Sequence, residues 1–254
     1  MRVFLVQLRK ELRELVRTRK LFIVVVVLLA FGLMSPIFAK ITPDLLEALG
    51  EDQLAGVQII IPEPSTRDAN EQFVKNTTQF GLLLAVLVGF GAIVGERERG
   101  QLALIFPHPL PRRVFVLAKF AALAILFGVA LLVGAIADYA YTVLLFDAPD
   151  AGGFLALVAL LYVWLLCLIG LTLLASALGR NMTTAGAIAF GLVLLVSLVG
   201  TFTRLAPGAL TEWGRLLANG MDAPARWGAL VVTLALTAAS VAASALILER
   251  QEIE

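Results

Sequence analysis

The sequence predicts an all-α integral membrane protein, and three observations predict it. Of its 254 residues, 60% are hydrophobic and only 15% charged, and a mean hydropathy of +0.93 exceeds what a water-wetted domain carries. The apolar residues come in runs long enough to cross a hydrocarbon core of about 30 Å at about 1.5 Å per residue. Those runs are continuous, whereas the strands of a membrane barrel would alternate apolar and polar positions.

Taken in order, the first element is the stretch VFLVQLRKELRELVRTRK, within residues 1–20. It places Leu5, Leu8, Leu12, Leu15 and Val16 at helical spacing, with Arg9, Lys10, Arg13 and Arg17 on the remaining arc. That pattern predicts an amphipathic interfacial helix whose basic face meets anionic headgroups or a partner. Six transmembrane helices follow at residues 21–39, 77–95, 114–137, 154–178, 183–202 and 227–248. The first is read as a retained span, because Ile37 stands where a signal-peptide cleavage site needs a small residue. An outer loop over 40–76 contains LLEALGEDQL, a short helix, then a stop at Pro62, then DANEQFVKNTTQF as a helical approach to the second span. The sequon at Asn76 abuts the membrane and is discounted as a glycosylation site. Before the sixth span, LTEWGRLLANGM aligns Leu210, Trp213, Leu216 and Leu217, a short helix on the outer face with Trp213 at headgroup level.

Basic residues orient this array. Seven lie in the first 20 residues, five between 96 and 119, and Arg180 and Arg250 add two, against six in the opposite loops. Both termini are therefore expected in the cytoplasm. Within the spans, Gly91 and Gly95 form a GxxxG that favours close helix packing, while Lys119 and Asp138 are placed near the span ends, within reach of water. The single Cys167 rules out an intramolecular disulfide and any multi-cysteine metal site.

The densest polar chemistry is the loop 96–113, which opens with GERERGQ. The spacing of its glycines suggests a phosphate-binding loop, but Gln101 and Leu102 occupy the positions where that loop needs a lysine and a hydroxyl. Nucleotide binding by this stretch is thereby excluded. The expected structure is instead a compact projection. Glu96 and Glu98 head a two-turn helix over 99–106, Pro107 ends it, and Arg112 and Arg113 mark the return to the membrane.

The run GERERGQLALIFPHPLPRRVFVLAKF resembles the cytoplasmic signature of the ABC-type 2 transporter permease family, E-R-E-x-G-T-L-x-L-L-x-x-P-x-S-R-x-x-x-x-x-K. Glu96, Arg97, Glu98, Gly100, Leu102, Leu104, Pro109, Arg112 and Lys119 match in register, while Gln101 replaces Thr and Pro111 replaces Ser. The resemblance spans the chain, including the KELRELVRTRKLF helix, so that 1–254 reads as one transmembrane permease domain with the type V exporter fold. It implies an ATP-driven exporter subunit that works by alternating access, paired with a second permease copy or a homologous permease and with separate ABC-type ATP-binding subunits. The loop over 96–113 would hold a coupling helix. Glu96, Arg97, Glu98 and Arg112 would meet the ATPase subunit, Gly100 would permit close backbone approach, and Leu102, Leu104 and Ile105 would form an apolar anchor. No cofactor and no metal is expected on this chain. ATP and Mg²⁺ would bind in the partner, membrane lipids would surround the spans, and nucleic acid has no role. The implied location is a prokaryotic inner membrane.

Two other classes are weaker. An ion-coupled secondary transporter places ionisable groups deep in its bundle, and none is expected here. An intramembrane hydrolase needs a histidine beside its nucleophile, whereas His108 lies alone in the loop.

Overall fold

The computed structural model describes residues 2–51, 63–100, 111–222 and 224–250. Among the described residues there are helices and no strands. They are α1 (Arg2–Arg17), α2 (Lys20–Glu51), α3 (Thr66–Gly89), α4 (Gly91–Glu98), α5 (Arg112–Leu145), α6 (Ala151–Leu178), α7 (Met182–Phe202), α8 (Gly208–Ala218) and α9 (Trp227–Arg250). Six segments are long and apolar enough to cross a membrane: α2, α3 with α4, α5, α6, α7 and α9.

The bundle is organised around α6, which contacts α3, α4, α5, α7, α8 and α9. Its sequence is apolar all round, as a helix enclosed by others must be. The closest pairing is α2 against α5. A Cβ added to Gly32 would overlap the Gly134 carbonyl, and one added to Gly134 would lie 2.7 Å from the Leu28 carbonyl oxygen. Only glycine lets these two backbones touch. Peripheral α7 and α9 turn Phe190, Leu194, Leu198, Phe202 and Val231 outward, surface suited to lipid or to another helix.

Two boundaries differ from expectation. The first apolar run does not end near residue 39, because α2 continues through Pro36 and Pro43 to Glu51 and absorbs the first part of the outer loop. Proline removes an N–H from the ladder, and nearby hydroxyls use carbonyls of the same helix. Ser35 Oγ donates to Phe31 O at 2.6 Å and Thr42 Oγ1 to Phe38 O at 2.5 Å. The second run is interrupted at Phe90, between α3 and α4. Its early start is as expected: Asp68 accepts from the Ser65 N–H at 2.9 Å and fixes the first turn of α3.

The two ends of the bundle are distinct. At one end lie α1, the end of α4, the start of α5, the α6–α7 turn and the last turn of α9. At the other lie the start of α3, the α5–α6 turn, where Thr66 donates to Asp147 O at 2.7 Å, and α8. Trp213 on α8 does not stand at the surface as expected. It packs inward, edge-on to Trp227 with centroids 5.3 Å apart, in a cluster with Leu160, Leu210 and Ala229. Gly214, which approaches the α6 backbone at Leu157, brings α8 close enough to bury the ring. Asn76 is buried as well, its amide donating to Ser35 Oγ at 2.9 Å.

Candidate functional site: a buried charge junction

The Gly-Glu-Arg-Glu-Arg-Gly stretch forms the end of α4, and three helices meet on it. Lys119, about two turns into α5, donates to Glu96 Oε1 at 2.9 Å and to Glu11 Oε2 of α1 at 2.8 Å. Lys10 donates to the same Glu96 oxygen at 3.0 Å and to Glu11 at 3.3 Å. Gln7 adds a bond to Glu11 at 2.7 Å, and the Lys119 ammonium lies 4.8 Å from the centre of the Phe115 ring. Two acids and two lysines therefore balance. The Glu96 and Lys119 side chains are 1% and 4% exposed, so their attraction is scarcely screened by water. Glu96 Oε2 has no hydrogen-bond partner among the described residues.

This geometry corrects several expectations. Glu96 is an interior residue committed to this chain's own lysines rather than an outward-facing acid. Lys119 does not reach water. Lys10 leaves the free basic face of α1; burial pulls its ammonium down, yet Glu11 and Glu96 more than offset that and hold it above its ordinary value. The side of α1 that packs on the bundle carries Gln7, Glu11 and Leu15, with Leu8 and Leu12 partly buried, while Leu5, Val16, Arg9, Arg13 and Arg17 are exposed. Asp138 is also fully buried rather than near water, and neither carboxylate oxygen has a partner among the described residues.

The acids sit in the last turn of α4. The macrodipole disfavours negative charge there, and each acid has a compensating donor. Glu96 has the lysines; Glu98 accepts from the Met182 N–H at 2.9 Å, at the N-terminus of α7. Arg97 does the reverse, donating to Gly179 O at 2.8 Å and Ala177 O at 3.4 Å where α6 ends. Adjacent side chains thus clamp both ends of the α6–α7 turn. Arg99 bonds Gly95 O at 2.9 Å and lies 3.7 Å from Glu14. Gly100 has a φ of +67° with nothing near its absent Cβ, so the left-handed turn, by itself, calls for glycine there. The expected helix therefore does not begin at Arg99; the rest of it, with Leu102, Leu104 and Ile105, lies outside the described residues. Arg112 donates to the Leu248 carbonyl and to Glu249 O at 3.0 Å, and Arg113 pairs with Glu249 at 2.8 Å, tying α5 to the end of α9.

Behind the junction, the break at Phe90 is filled by α6. Ser176 Oγ accepts from the Ile93 and Val94 N–H groups in the first turn of α4 at 2.9 and 3.1 Å. A Cβ on Gly89 would overlap Thr172 Oγ1. Gly91 and Gly95, the GxxxG pair, both face Met182. The residues missed by sequence reasoning are Glu11, Ser176 and Thr172. Glu11 is an acid at helical spacing from Gln7 and Leu15 inside a basic segment, a signal that was present; the hydroxyls carried none.

The arrangement joins α1, α4 and α5 through charge, and α6 and α7 through Arg97 and Glu98. Glu11, Glu14 and Glu96 bring carboxylate oxygens within 4.8 Å of one another, close enough for a metal ion. Lys10 and Lys119 already supply cations to two of the three.

Comparison with known proteins agrees with the family resemblance. Residues 5–219 match the family described as ABC-2 family transporter protein. The chain is also 26% identical over 200 residues to the uncharacterized transmembrane protein YxlG of Bacillus subtilis (strain 168), covering 78% of this chain and 76% of that protein.

Proposed function

The chain belongs to the ABC-2 family of transporter proteins, a transmembrane component of an ABC transporter, and from that premise we propose that it is an exporter subunit driven through the charge junction. Two permeases pair in a prokaryotic inner membrane with both termini in the cytoplasm. Each receives a separate ATP-binding subunit, which holds the ATP and Mg²⁺, on the coupling loop expected over 96–113 and the exposed face of α1. Leu102, Leu104 and Ile105 supply the apolar anchor, and Arg9, Arg13 and Arg17 meet the partner or anionic headgroups. Glu96 has a different task from the one its motif suggests. It passes the displacement of the loop to α1 and α5.

The observation that supports this reading most is the Glu11–Lys119–Glu96–Lys10 network, which joins α1, α4 and α5 through short contacts, buried at every member but Lys10. The test is co-expression with an ATP-binding subunit. Leu104→Asp is expected to abolish co-purification while the chain still inserts. Lys119→Ala is expected to keep the partner bound but to separate ATP hydrolysis from transport. Transport by the purified chain alone on a proton or Na⁺ gradient would overturn the reading. Asp138 favours that alternative, since an interior carboxyl with no hydrogen-bond partner among the described residues is what an ion-coupled carrier uses. Asp138→Asn is therefore expected to leave ATP-driven transport within about twofold, and loss of transport would favour ion coupling.

A further inference from the structure

A groove of about 510 Å³ opens on the side of the bundle between α3, α6, α7 and α8. Its two ends differ in chemistry. Lys75, Gln79 and Thr211 line it toward the end of the molecule that carries α8, while Leu82, Trp164 and Leu168 line it farther in. Lys75 and Leu82 are seven residues apart on α3, a drop of roughly 10 Å along the helix. The Lys75 ammonium has no ion pair or hydrogen bond among the described residues. The acid one turn before it, Glu71, is committed elsewhere: Arg67 binds it at 3.1 Å and Arg215 at 2.8 Å. Among the described residues, the mouth of a slot whose floor is apolar and aromatic thus carries a lysine in no ion pair.

We infer that this groove is a binding site for an anionic phospholipid-like amphiphile, with its phosphate on Lys75 and an acyl chain over Leu82, Trp164 and Leu168. Charge complementarity selects the headgroup, because a lysine close to a membrane surface attracts anionic lipid. Burial of hydrocarbon against Leu and Trp favours the chain. The size lies in the ordinary range of ligand pockets. A zwitterionic lipid would gain the second contact but not the first, and a soluble anion the first but not the second. The site needs only the membrane-spanning helices, not the ATPase partnership.

Trp164 reports on it directly. The chain is purified in neutral detergent with Trp213→Phe and Trp227→Phe, leaving Trp164 as the sole tryptophan, and titrated with brominated phosphatidylglycerol or brominated phosphatidylcholine of the same chain length. Quenching by phosphatidylglycerol is expected at about fivefold lower mole fraction, and Lys75→Gln, an exposed substitution, is expected to erase that preference. Ser197→Phe, which narrows the groove, is expected to weaken quenching by both lipids. Equal quenching by the two lipids with Lys75 present would overturn the inference, leaving an ordinary boundary-lipid contact. So would the absence of quenching with self-association of the chain, which would make the groove an interface between copies. Either result leaves the ATPase partnership untouched.

Discussion

Each end of the bundle holds a helix against its side, and the two do it by opposite means. At one end α1 is fastened by Glu11, Lys119, Glu96 and Lys10, the last partly exposed and the other three buried. At the other end α8 carries an ion cluster too, Arg215 with Glu212 at 2.7 Å and Glu71 at 2.8 Å, but the Glu212 side chain is 42% exposed. What fixes α8 is Trp213 and its apolar neighbours, with Asn70 reaching the last turn at 3.3 Å. The difference teaches that the number of ion pairs says little; their depth decides. An exposed pair gives back in side-chain entropy and screening most of what it gains. A buried network cannot lose one member without stranding the others.

The largest effect should come from breaking that network. Lys119→Ala leaves Glu11 and Glu96 with Lys10 as their one shared ion-pair partner among the described residues, and is expected to cost about 3–5 kcal/mol, read by unfolding in detergent. A double-mutant cycle with Glu96→Gln should show strong coupling, and additive losses would refute the network. At the other end Trp213→Ala should cost about 3 kcal/mol, so that there an apolar residue rather than a charge carries the loss. Next is Ser176→Ala, which removes the side-chain acceptor of the Ile93 and Val94 N–H groups and is expected to cost about 1–3 kcal/mol. Its signature is faster amide exchange at Ile93 and Val94 with little change in α5.

The smallest effect sharpens the contrast. Glu212→Gln is expected to cost about 0.5 kcal/mol or less. The hydrogen bond from Arg215 holds the Glu212 carboxyl below its ordinary value, burial opposing it. Its contribution is therefore present above the unfolded value of about 4.3 and lost as pH falls through the folded one. Acid titration of stability should show a slight loss in the parent chain that the variant lacks. An equal loss in both would assign the pH dependence elsewhere.

Most of the architecture was legible in the residues. The six apolar runs each fall inside one membrane-crossing helix, and the sequon could be discounted from its position alone. The boundaries were harder for stated reasons. Pro36 and Pro43 look like stops, yet LLEALGE continues the helix beyond them. Nothing in GLLLAVLVGFGAIV marks Phe90 as a break, because the hydroxyl that stabilises it belongs to α6. The motif told that Glu96 and Lys119 matter without telling that they meet.

The sequence by itself determined that this chain spans a membrane in six helices, that it carries the family's signature after the second, and that its acidic and basic residues nearly balance, 19 against 20. Hydrophobic length and register are local properties, and a linear pattern expresses them fully. Only the tertiary structure decided which charges face inward. Glu11 and Glu96 are 85 positions apart, and whether an acid meets water, a partner or a buried lysine depends on what the fold brings beside it. That choice turned Glu96 from an outward contact into an internal joint.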